Sequence, residues 1–447
     1  MGGSERQGFD SRACAVHALT GVFRRREKPK DALETLFQGI RDRRDRALVS
    51  ELVYGVLRYR DYLDWELRHY LREPERLPPD TVNNLRTALY QIRFMRTPHW
   101  AAVHEAVAGE KRRHGKASLV NAVLRNILRH AGEVSAPSRD DSVQYLSVVT
   151  SHPRWLVERW TVRFGLAEAE QALRANNERA PLALRCWNGH ERKAALHALQ
   201  QGGVHARATG FSPVGILIDD PLTYHELSRH MPTPFVIQDE AAQLVPYLLD
   251  PQPRERILDG CAAPGGKSTH IAQLMGDSGE VYAVESDSRR TLQIEENISR
   301  LGLRSVQVVH GDVRALPGAG IFDRILIDAP CSALGIVRRN PDVKYRHASD
   351  DILRFQSGQI SILSSVSARL KPGGDLVYSV CSTEPEEGEE VVLSFLQSHP
   401  DFSIIGGDFD FLKPFETTAG DGLCVYRTYP HRHGMDGFFF ARMRKSL

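Results

Sequence analysis

The sequence predicts an α-helical bundle over residues 1–137, a small mixed α/β segment over 138–235, and a doubly wound α/β domain over 236–447. Three observations carry this fold class. Apolar residues recur at helical spacing in the first region, a polar stretch within 131–151 follows it, and strand-like and helix-like segments alternate in the last region. The length of 447 residues is enough for two to three domains.

Amphipathic helices are predicted through most of the first region. Apolar residues at spacings of three and four form one stripe, namely Leu48, Leu52, Val56, Tyr59, Leu63 and Leu67. Leu119, Val123 and Ile127 repeat the pattern further along the chain. Because each such helix buries one stripe against its neighbours, a bundle is expected.

Positive charge is concentrated in the same region. Residues 1–130 carry 25 Lys and Arg against 16 Asp and Glu, a net charge of +9, whereas the whole chain carries +2. The basic cluster comprises Lys111, Arg112, Arg113, His114 and Lys116, and Arg125 and Arg129 follow on the next predicted helix. Such a cluster is typical of phosphate contacts and equally typical of a solvated turn. The chemistry predicted for the last domain favours contact with RNA.

Strands and helices alternate from about residue 236 onward, which indicates a parallel sheet. The predicted strands are RILDGC, EVYAVES, SVQVVHGD, FDRILIDAP, GGDLVYSVCS and GFFFARM. Helices are predicted for GKSTHIAQLM, SRRTLQIEENISRLG, residues 349–370 and EEGEEVVLSFLQ. In the middle segment, EAEQALRANN is typical of a helix and PLALRCW of a strand.

Cysteine usage favours a reducing compartment. The six cysteines are scattered without a CxxC pair, so neither a disulfide framework nor a metal site is expected. No apolar run approaches the roughly 18 residues of a membrane span, and the N-terminal sequence lacks the apolar core of a signal peptide. We therefore expect a cytoplasmic monomer that binds no membrane and keeps its thiols free.

A glycine turn follows the first predicted strand of the last domain, in DGCAAPGGKSTH. Gly265 and Gly266 allow close backbone approach to a ligand. The GxxxxGK[ST] pattern of a phosphate-binding loop is also approached from Gly260 to Ser268, with one residue more between Gly260 and Gly266 than the pattern has. Three acids end the following strands, namely Glu285, Asp312 and Asp328. Carboxylates at these ends accept hydrogen bonds from ribose or adenine but repel a triphosphate, so an adenosine cofactor is favoured.

Two cysteines also follow neighbouring predicted strands. Cys331 comes after Asp328-Ala329-Pro330, and Cys381 ends the next strand 50 positions later. A lone cysteine is usually a small buried hydrophobe, but two at a cofactor pocket suit covalent catalysis. A thiolate that adds to carbon 6 of cytosine makes carbon 5 nucleophilic, and a base must later remove the carbon-5 proton. Spacing alone leaves the roles of the two thiols interchangeable.

The substrate of such a site is expected to be an unstacked base. A cytosine must leave its stack to reach the pocket, and unpaired RNA loops make this easier. Arg338, Arg339 and Lys344 follow the first cysteine in GIVRRNPDVKYR. They are predicted either to hold the RNA backbone or to be solvated.

The motifs CAAPGGK, IDAPCS, RRNPDVKY and LVYSVCSTEPEEGE resemble those of the RNA cytosine-C5 methyltransferases of the Sun/NOL/NOP type. The resemblance extends over nearly the whole chain. SRACAVHAL, LVYGVLRYRDYLDW and VNAVLRNILR are similar to a NusB-like RNA-binding domain, HPRWLVERW and ANNERAPLALR to the family's middle segment, and QDEAAQLV and DGFFFARM to the ends of its catalytic domain.

The resemblance implies a Rossmann-like methyltransferase domain that uses S-adenosylmethionine, preceded by a NusB-like bundle, with structured 16S ribosomal RNA containing an unpaired target cytosine as substrate. The implied cofactor-binding residues are Cys261, Ala262, Ala263, Pro264, Gly265, Gly266, Lys267, Glu285, Asp312 and Asp328. It also implies that Cys381 is the nucleophile, that Cys331 assists product release, and that Asp328 hydrogen-bonds the cytosine edge.

Two other functions are compatible with the sequence. The substrate could be transfer RNA, although the NusB-like region argues against this. The protein could also be a NusB-like RNA-binding protein with an inert C-terminal fold, although the intact cysteines and pocket acids argue against it.

Overall fold

A computed structural model of the chain describes residues 10–130, 136–220, 222–316, 320–420 and 422–447. The chain divides into two compact units. Unit 1 comprises the residues up to Glu178 and the separate segment Asn340–Arg346, and unit 2 comprises Arg179–Arg339 and His347–Leu447. The finer division at 137 and 235 stays a prediction, and the predicted linker falls partly outside the described residues. Among the described residues, none of the helices has the length and apolar composition that crossing a bilayer requires.

Unit 1 is helical. Its helices are α1 (Ser11–Arg25), α2 (Pro29–Phe37), α3 (Arg43–Arg58), α4 (Arg60–Arg68), α5 (Pro79–Phe94), α6 (His99–Arg113), α7 (Ala117–Arg129), α8 (Ser142–Val149), α9 (Arg154–Phe164) and α10 (Leu166–Ala175). The predicted apolar stripe faces the core, where Leu52, Val56 and Leu63 are fully buried. The stripe spans two helices rather than one, because Tyr59 leaves helical geometry at φ −115° and ψ 22°.

The segment Asn340–Arg346 belongs to unit 1, although it lies within the α/β domain predicted for residues 236–447. The Lys344 ammonium is buried and donates a 2.8 Å hydrogen bond to the carbonyl of Arg58. The Tyr345 hydroxyl donates to the Ser151 carbonyl at 2.9 Å. The prediction that Lys344 contacts RNA or lies in solvent is therefore wrong. Arg58 ends α3, where the helix dipole favours a cation.

Unit 2 begins with a small antiparallel sheet of order β2-β3-β1-β4. Its elements are β1 (Leu182–Arg185), α11 (Gly189–Gln201), β2 (Ala206–Ala208), β3 (Gly215–Ile218), α12 (Tyr224–Ser228) and β4 (Val236–Ile237). The predicted strand PLALRCW is β1. An apolar cluster between sheet and helix includes Leu184, Leu199 and Ile216.

A larger sheet forms the rest of unit 2. Its elements are α13 (Glu240–Leu249), β5 (Arg256–Gly260), α14 (Gly266–Leu274), β6 (Glu280–Glu285), α15 (Ser288–Leu301), β7 (Val306–His310), β8 (Phe322–Asp328), α16 (Ser349–Ser367), β9 (Leu370–Val380), α17 (Glu389–Ser398), β10 (Phe402–Ile405), β11 (Glu416–Ala419), β12 (Leu423–Thr428), α18 (Pro430–His433) and β13 (Phe438–Lys445). The strand order is β11-β12-β13-β9-β8-β5-β6-β7, with β10 beside β13.

The strands β5 to β9 are parallel, and β13 closes onto β9 in antiparallel orientation. Successive residues of β5 point to opposite faces, so Ile257 joins the apolar cluster with α13, α14 and α15, and Leu258 joins the cluster with α16 and α17. Helices cover both faces, as the alternating pattern predicted, and the fold is Rossmann-like. The sequence did not predict β10, β11 and β12. The edge strand β11, Glu-Thr-Thr-Ala, shows why, because it lacks the apolar alternation of a core strand.

Candidate active site

The predicted site residues lie at one edge of the large sheet. Glu285 and Asp328 are the last residues of β6 and β8, Asp312 lies two residues beyond β7, and Cys381 follows β9 directly. Because β5 to β9 are parallel, their carboxyl ends share this edge. The pairing of Asp328 with Ser379 fixes the register of the two strands that precede the cysteines.

A tight turn of residues 261–265 connects β5 to α14, and Gly266 and Lys267 begin the helix. Cys261 and Gly265 both have positive φ, at 63° and 92°. A side chain on Gly265 would place its Cβ 3.2 Å from the Cα of Ile294, so both the conformation and the close packing require glycine. The amide of Ala262 donates to the carbonyl of Val284 at 2.9 Å, which ties the turn to β6.

Glu285 is buried beneath this turn. Its carboxylate accepts hydrogen bonds from the amides of Ala263 at 3.3 Å and Asp287 at 3.0 Å. The guanidinium of Arg290 lies 3.3 Å from Oε2. The carboxylate is thus held against the backbone of the loop by donors that leave part of its lone-pair capacity for a ligand.

Asp312 lines a cavity of about 220 Å³. The guanidinium of Arg314 hydrogen-bonds this carboxylate and holds the pKa of Asp312 below its usual value. Apolar side chains form much of the lining, among them Val284, Phe355 and Ile362. Phe355, on α16, was not singled out from the sequence, because an aromatic residue in a helix usually marks core packing.

Asp328 is held by two donors. The Lys267 ammonium donates to Oδ2 at 2.6 Å, and the Ser379 hydroxyl donates to Oδ1 at 2.8 Å. Lys267 is mostly buried, and its ammonium also lies 5.1 Å from the ring centroid of Phe438. The pair joins the loop after β5 to the end of β8, so the predicted cofactor residues and the carboxylate beside Cys331 belong to one site.

The sulfur atoms of Cys331 and Cys381 lie 3.3 Å apart, within hydrogen-bonding distance. Both side chains are partly accessible. The hydrogen bond to Cys381, together with burial, raises the pKa of the Cys331 thiol well above its usual value. One sulfur is therefore held as a thiol that donates to the other.

The buried carboxylate of Glu387 lies next to the loops of both cysteines, and it was not predicted from the sequence. Glu387 accepts hydrogen bonds from the Ser332 amide at 2.7 Å and from the Ser382 hydroxyl at 2.6 Å. The burial of this side chain raises its pKa. The acidic run STEPEEGEE gives no signal for which glutamate turns inward, since charge runs are usually solvated.

Arg338 and Arg339 form ion pairs with two aspartates. Asp436 accepts from the Arg338 Nε at 2.8 Å and from the Arg339 Nε at 2.7 Å, and Asp239 accepts from Arg339 Nη2 at 2.5 Å. Arg338 is 5% exposed. The prediction that these arginines hold RNA or are solvated is wrong for Arg338, because two aspartates from distant segments neutralise it in the interior. Arg339 is bound by the same aspartates, but its side chain is 26% exposed, so for this residue the prediction stays a prediction.

The basic cluster in unit 1 is largely exposed. Lys111, Arg112, His114 and Lys116 all lie at the surface around the end of α6. Arg112 pairs with Asp10. This surface leaves both predicted interpretations, RNA contact and a solvated turn, compatible with the structure.

Comparison with known families divides the chain into three matched regions. Residues 246–444 match the 16S rRNA methyltransferase RsmB/F family. Residues 10–129 match the NusB family, and residues 152–225 match the ferredoxin-like domain of RsmF/B-like methyltransferases.

Curated relatives match along nearly the full chain. A Bacillus subtilis protein named probable ribosomal RNA small subunit methyltransferase B is 36% identical over 426 residues, which cover 90% of this chain and 91% of the relative. Ribosomal RNA small subunit methyltransferase B of Erwinia tasmaniensis is 36% identical and covers 97% of this chain and 98% of its own. A solved methyltransferase homolog from Pyrococcus horikoshii is 28% identical, with a TM-score of 0.59, over 68% of this chain and 99% of that protein.

Proposed function

Because the chain belongs to the RsmB family of ribosomal RNA small subunit methyltransferases, we propose that it methylates carbon 5 of a cytosine in 16S ribosomal RNA by covalent cysteine catalysis. Its methyl donor is S-adenosylmethionine. The proposed nucleophile is Cys381, and Cys331 assists release. The observation that carries the proposal is the 3.3 Å separation of two partly accessible sulfurs beside Asp328.

The residues at the sheet edge fit an adenosine-containing donor. The apolar cavity of about 220 Å³ has the Asp312 carboxylate in its lining, which suits a flat base with an amino group. Glu285 can accept hydrogen bonds from ribose hydroxyls. The turn Cys261–Gly266 offers backbone groups, and Lys267 offers a cation. When bound, S-adenosylmethionine supplies an electrophilic methyl group on a sulfonium centre.

Catalysis begins at the Cys381 sulfur. The thiolate forms a bond to carbon 6 of cytosine, and the ring electron pair moves to carbon 5, which then takes the methyl group. Asp328, fixed by Lys267 and Ser379, is positioned to accept a hydrogen bond from the cytosine amine. The addition needs a thiolate at only one of the two cysteines, and the donor thiol of Cys331 stabilises that thiolate on Cys381.

Release requires loss of the carbon-5 proton and cleavage of the sulfur–carbon bond. The pKa of Cys331 is raised first by its hydrogen bond to Cys381 and then by burial. Once Cys381 is a thioether it carries no charge, so the first of these causes disappears and the pKa of Cys331 falls. Cys331 can then give its proton to solvent and accept the carbon-5 proton, while the Cys381 thiolate leaves.

The basic cluster around α6 is the proposed site of contact with ribosomal RNA in the NusB-like region, residues 1–137. Lys111, Arg112 and Lys116 are exposed and close together in sequence, as phosphate contacts require. In this proposal residues 138–235 form the middle domain and residues 236–447 form the catalytic domain.

Covalent trapping tests the chemistry. A 16S ribosomal RNA transcript that contains 5-azacytidine lacks the carbon-5 proton, so the adduct persists and migrates as a protein–RNA complex under denaturing conditions. We expect an adduct with the unaltered protein and S-adenosylmethionine, none with Cys381→Ala, and an adduct that also accumulates on ordinary RNA with Cys331→Ala. Cys424→Ala, a partly accessible cysteine elsewhere in the unit, serves as the control.

Two results would contradict the proposal. An adduct with Cys381→Ala but none with Cys331→Ala would reverse the roles of the cysteines. Bisulfite sequencing of total RNA from a deletion strain identifies the substrate, and loss of a mark in transfer RNA with 16S ribosomal RNA unchanged would refute the proposed target.

A further inference from the structure

One buried carboxylate contacts both loops that carry the cysteines. Glu387 lies in the short turn after β9, and its side chain is fully buried. Oε2 accepts from the Ser332 hydroxyl at 2.5 Å and from the Ser382 hydroxyl at 2.6 Å, and Oε1 accepts from the Ser332 amide at 2.7 Å. Ser332 follows Cys331 and Ser382 follows Cys381, so a single side chain joins the two loops one residue away from each sulfur.

The surrounding contacts strengthen this link. The hydroxyls of Ser332 and Ser382 lie 3.2 Å apart. Gln359 Nε2 donates to Glu387 Oε1 at 3.2 Å and to the Pro330 carbonyl at 2.9 Å, which fixes the residue before Cys331. The Tyr378 hydroxyl donates to the Glu387 carbonyl at 2.6 Å and holds the turn itself.

Burying a carboxylate costs desolvation free energy, so a glutamate at this position is expected to have a specific role. The hydrogen bonds that the structure gives Glu387 come from two hydroxyls, an amide N–H and a side-chain amide, all neutral donors. Neutral donors compensate the desolvation of a charge less well than a cation does. An apolar residue would fill the space at lower cost but could not bind two serines at once.

We propose that Glu387 is a positioning residue, whose carboxylate ties Ser332 to Ser382 and thereby holds the sulfurs of Cys331 and Cys381 in contact. The catalytic meaning of this contact rests on the proposed function, but the geometric statement does not. If the link is cut, the two loops are free to separate, and the effective concentration of one thiol at the other falls.

The thiol–disulfide equilibrium of the full-length protein measures that concentration without RNA or methyl donor. In glutathione buffers, oxidised glutathione takes two electrons from the two protein thiols, which gives the Cys331–Cys381 disulfide and two molecules of reduced glutathione. We expect Glu387→Ala to lower the equilibrium constant by about tenfold or more. Glu387→Gln should stay within about threefold, because its carbonyl oxygen can accept from the Ser332 amide while its amide donates to the serine hydroxyls.

Two further variants complete the test. Glu390→Gln, at an exposed position three residues away, should leave the equilibrium unchanged. Ser382→Ala removes the hydrogen bond between Glu387 and the Cys381 loop with little loss of volume. It should also lower the equilibrium constant for disulfide formation about tenfold, and it replaces Glu387→Ala as the test if that variant does not fold. An unchanged equilibrium in folded Ser382→Ala would overturn the proposal. Because the measurement needs no RNA, failure of covalent trapping in the unaltered protein would overturn the proposed function alone.

Discussion

Asp259 makes the stability of unit 2 depend on pH in a direction that is unusual for an aspartate. The residue lies in β5, directly before the cofactor loop, and is fully buried. The Ser268 hydroxyl donates to Oδ2 at 2.5 Å, whereas Oδ1 has no hydrogen-bond partner among the described residues. Burial raises the pKa of Asp259 to about 7, against an ordinary value of 3.8. The folded protein therefore holds this carboxyl protonated where the unfolded chain does not.

The size of the effect follows from the two pKa values. Because the folded state binds one proton more between them, the contribution to the free energy of unfolding is complete below pH 3.8 and is lost as the pH rises through about 7. The slope between these values is about −1.4 kcal/mol per pH unit. From about pH 5 to about pH 8 the contribution falls by roughly 2.6 kcal/mol, which for a unit of this size is about 5 °C in melting temperature.

Thermal unfolding of Asp259→Asn at these two pH values tests the predicted pH dependence of stability. Asparagine is neutral throughout, so the variant should lose about 5 °C less than the unaltered protein between the lower and the higher pH. Asp323→Asn is the matched control, since the partners of Asp323 hold its pKa below the ordinary value and both states are ionised over this range. Equal pH shifts for the unaltered protein and Asp259→Asn would refute the assignment of a raised pKa to this carboxyl.

Three other substitutions test separate parts of the structure. Arg185→Met should lower the free energy of unfolding by about 2–4 kcal/mol in thermal or urea denaturation, because it leaves acceptors on α14, the helix after β5, without their donor. Gly335→Ala should lower covalent trapping about 100-fold, because its Cβ would lie 1.8 Å from the Gly437 carbonyl oxygen. Gly210→Ala is the control, since the space around Gly210 is open, and it should have no effect. Equal trapping by the two variants would contradict this prediction. Lys344→Met should leave RNA affinity and its salt dependence unchanged, and a reduction of the salt slope by about one would instead indicate a phosphate contact.

Most of the sheet and the meeting of the cysteines could be predicted from the sequence, because both depend on local pattern and strand direction. Alternating apolar segments mark β5 to β9, and parallel strands bring their carboxyl ends to one edge whatever the loops do. The positions of Asp328 and Cys381 follow from this alone. The distance between the two sulfurs could not be predicted, because it depends on the hydrogen bonds of Glu387 to Ser332 and Ser382 in the two cysteine loops.

The environment of the basic residues, in contrast, could not be predicted from the sequence. Lys344 and Arg339 occur in a run of charges that is typical of a solvated or RNA-binding surface. The placement of their charged groups depends on acceptors far away in sequence, the Arg58 carbonyl for Lys344 and Asp239 and Asp436 for Arg339. Local pattern carries no information on such partners, so only the tertiary structure separates a substrate contact from a structural ion pair.

The buried ion pairs have a further consequence for the active site. Asp239, Arg339 and Asp436 come from three separate segments, QDEAAQLV, RRNPDVKY and DGFFFARM, and the structure joins them in one cluster. The amide of Gly437, next to Asp436, donates to the Gly335 carbonyl at 2.8 Å, and the Gly335 amide donates to the Cys381 carbonyl at 3.0 Å. Buried ion pairs add little net stability, but they select one arrangement over others, since a misplaced partner leaves a bare charge. The cluster is therefore linked by two backbone hydrogen bonds to Cys381, the proposed nucleophile, while Glu387 binds the next residue, Ser382. Glu387 restrains the loops of both cysteines, and the ion-pair cluster adds a second restraint at Cys381, which is the arrangement expected if the proposed reaction depends on the position of that sulfur.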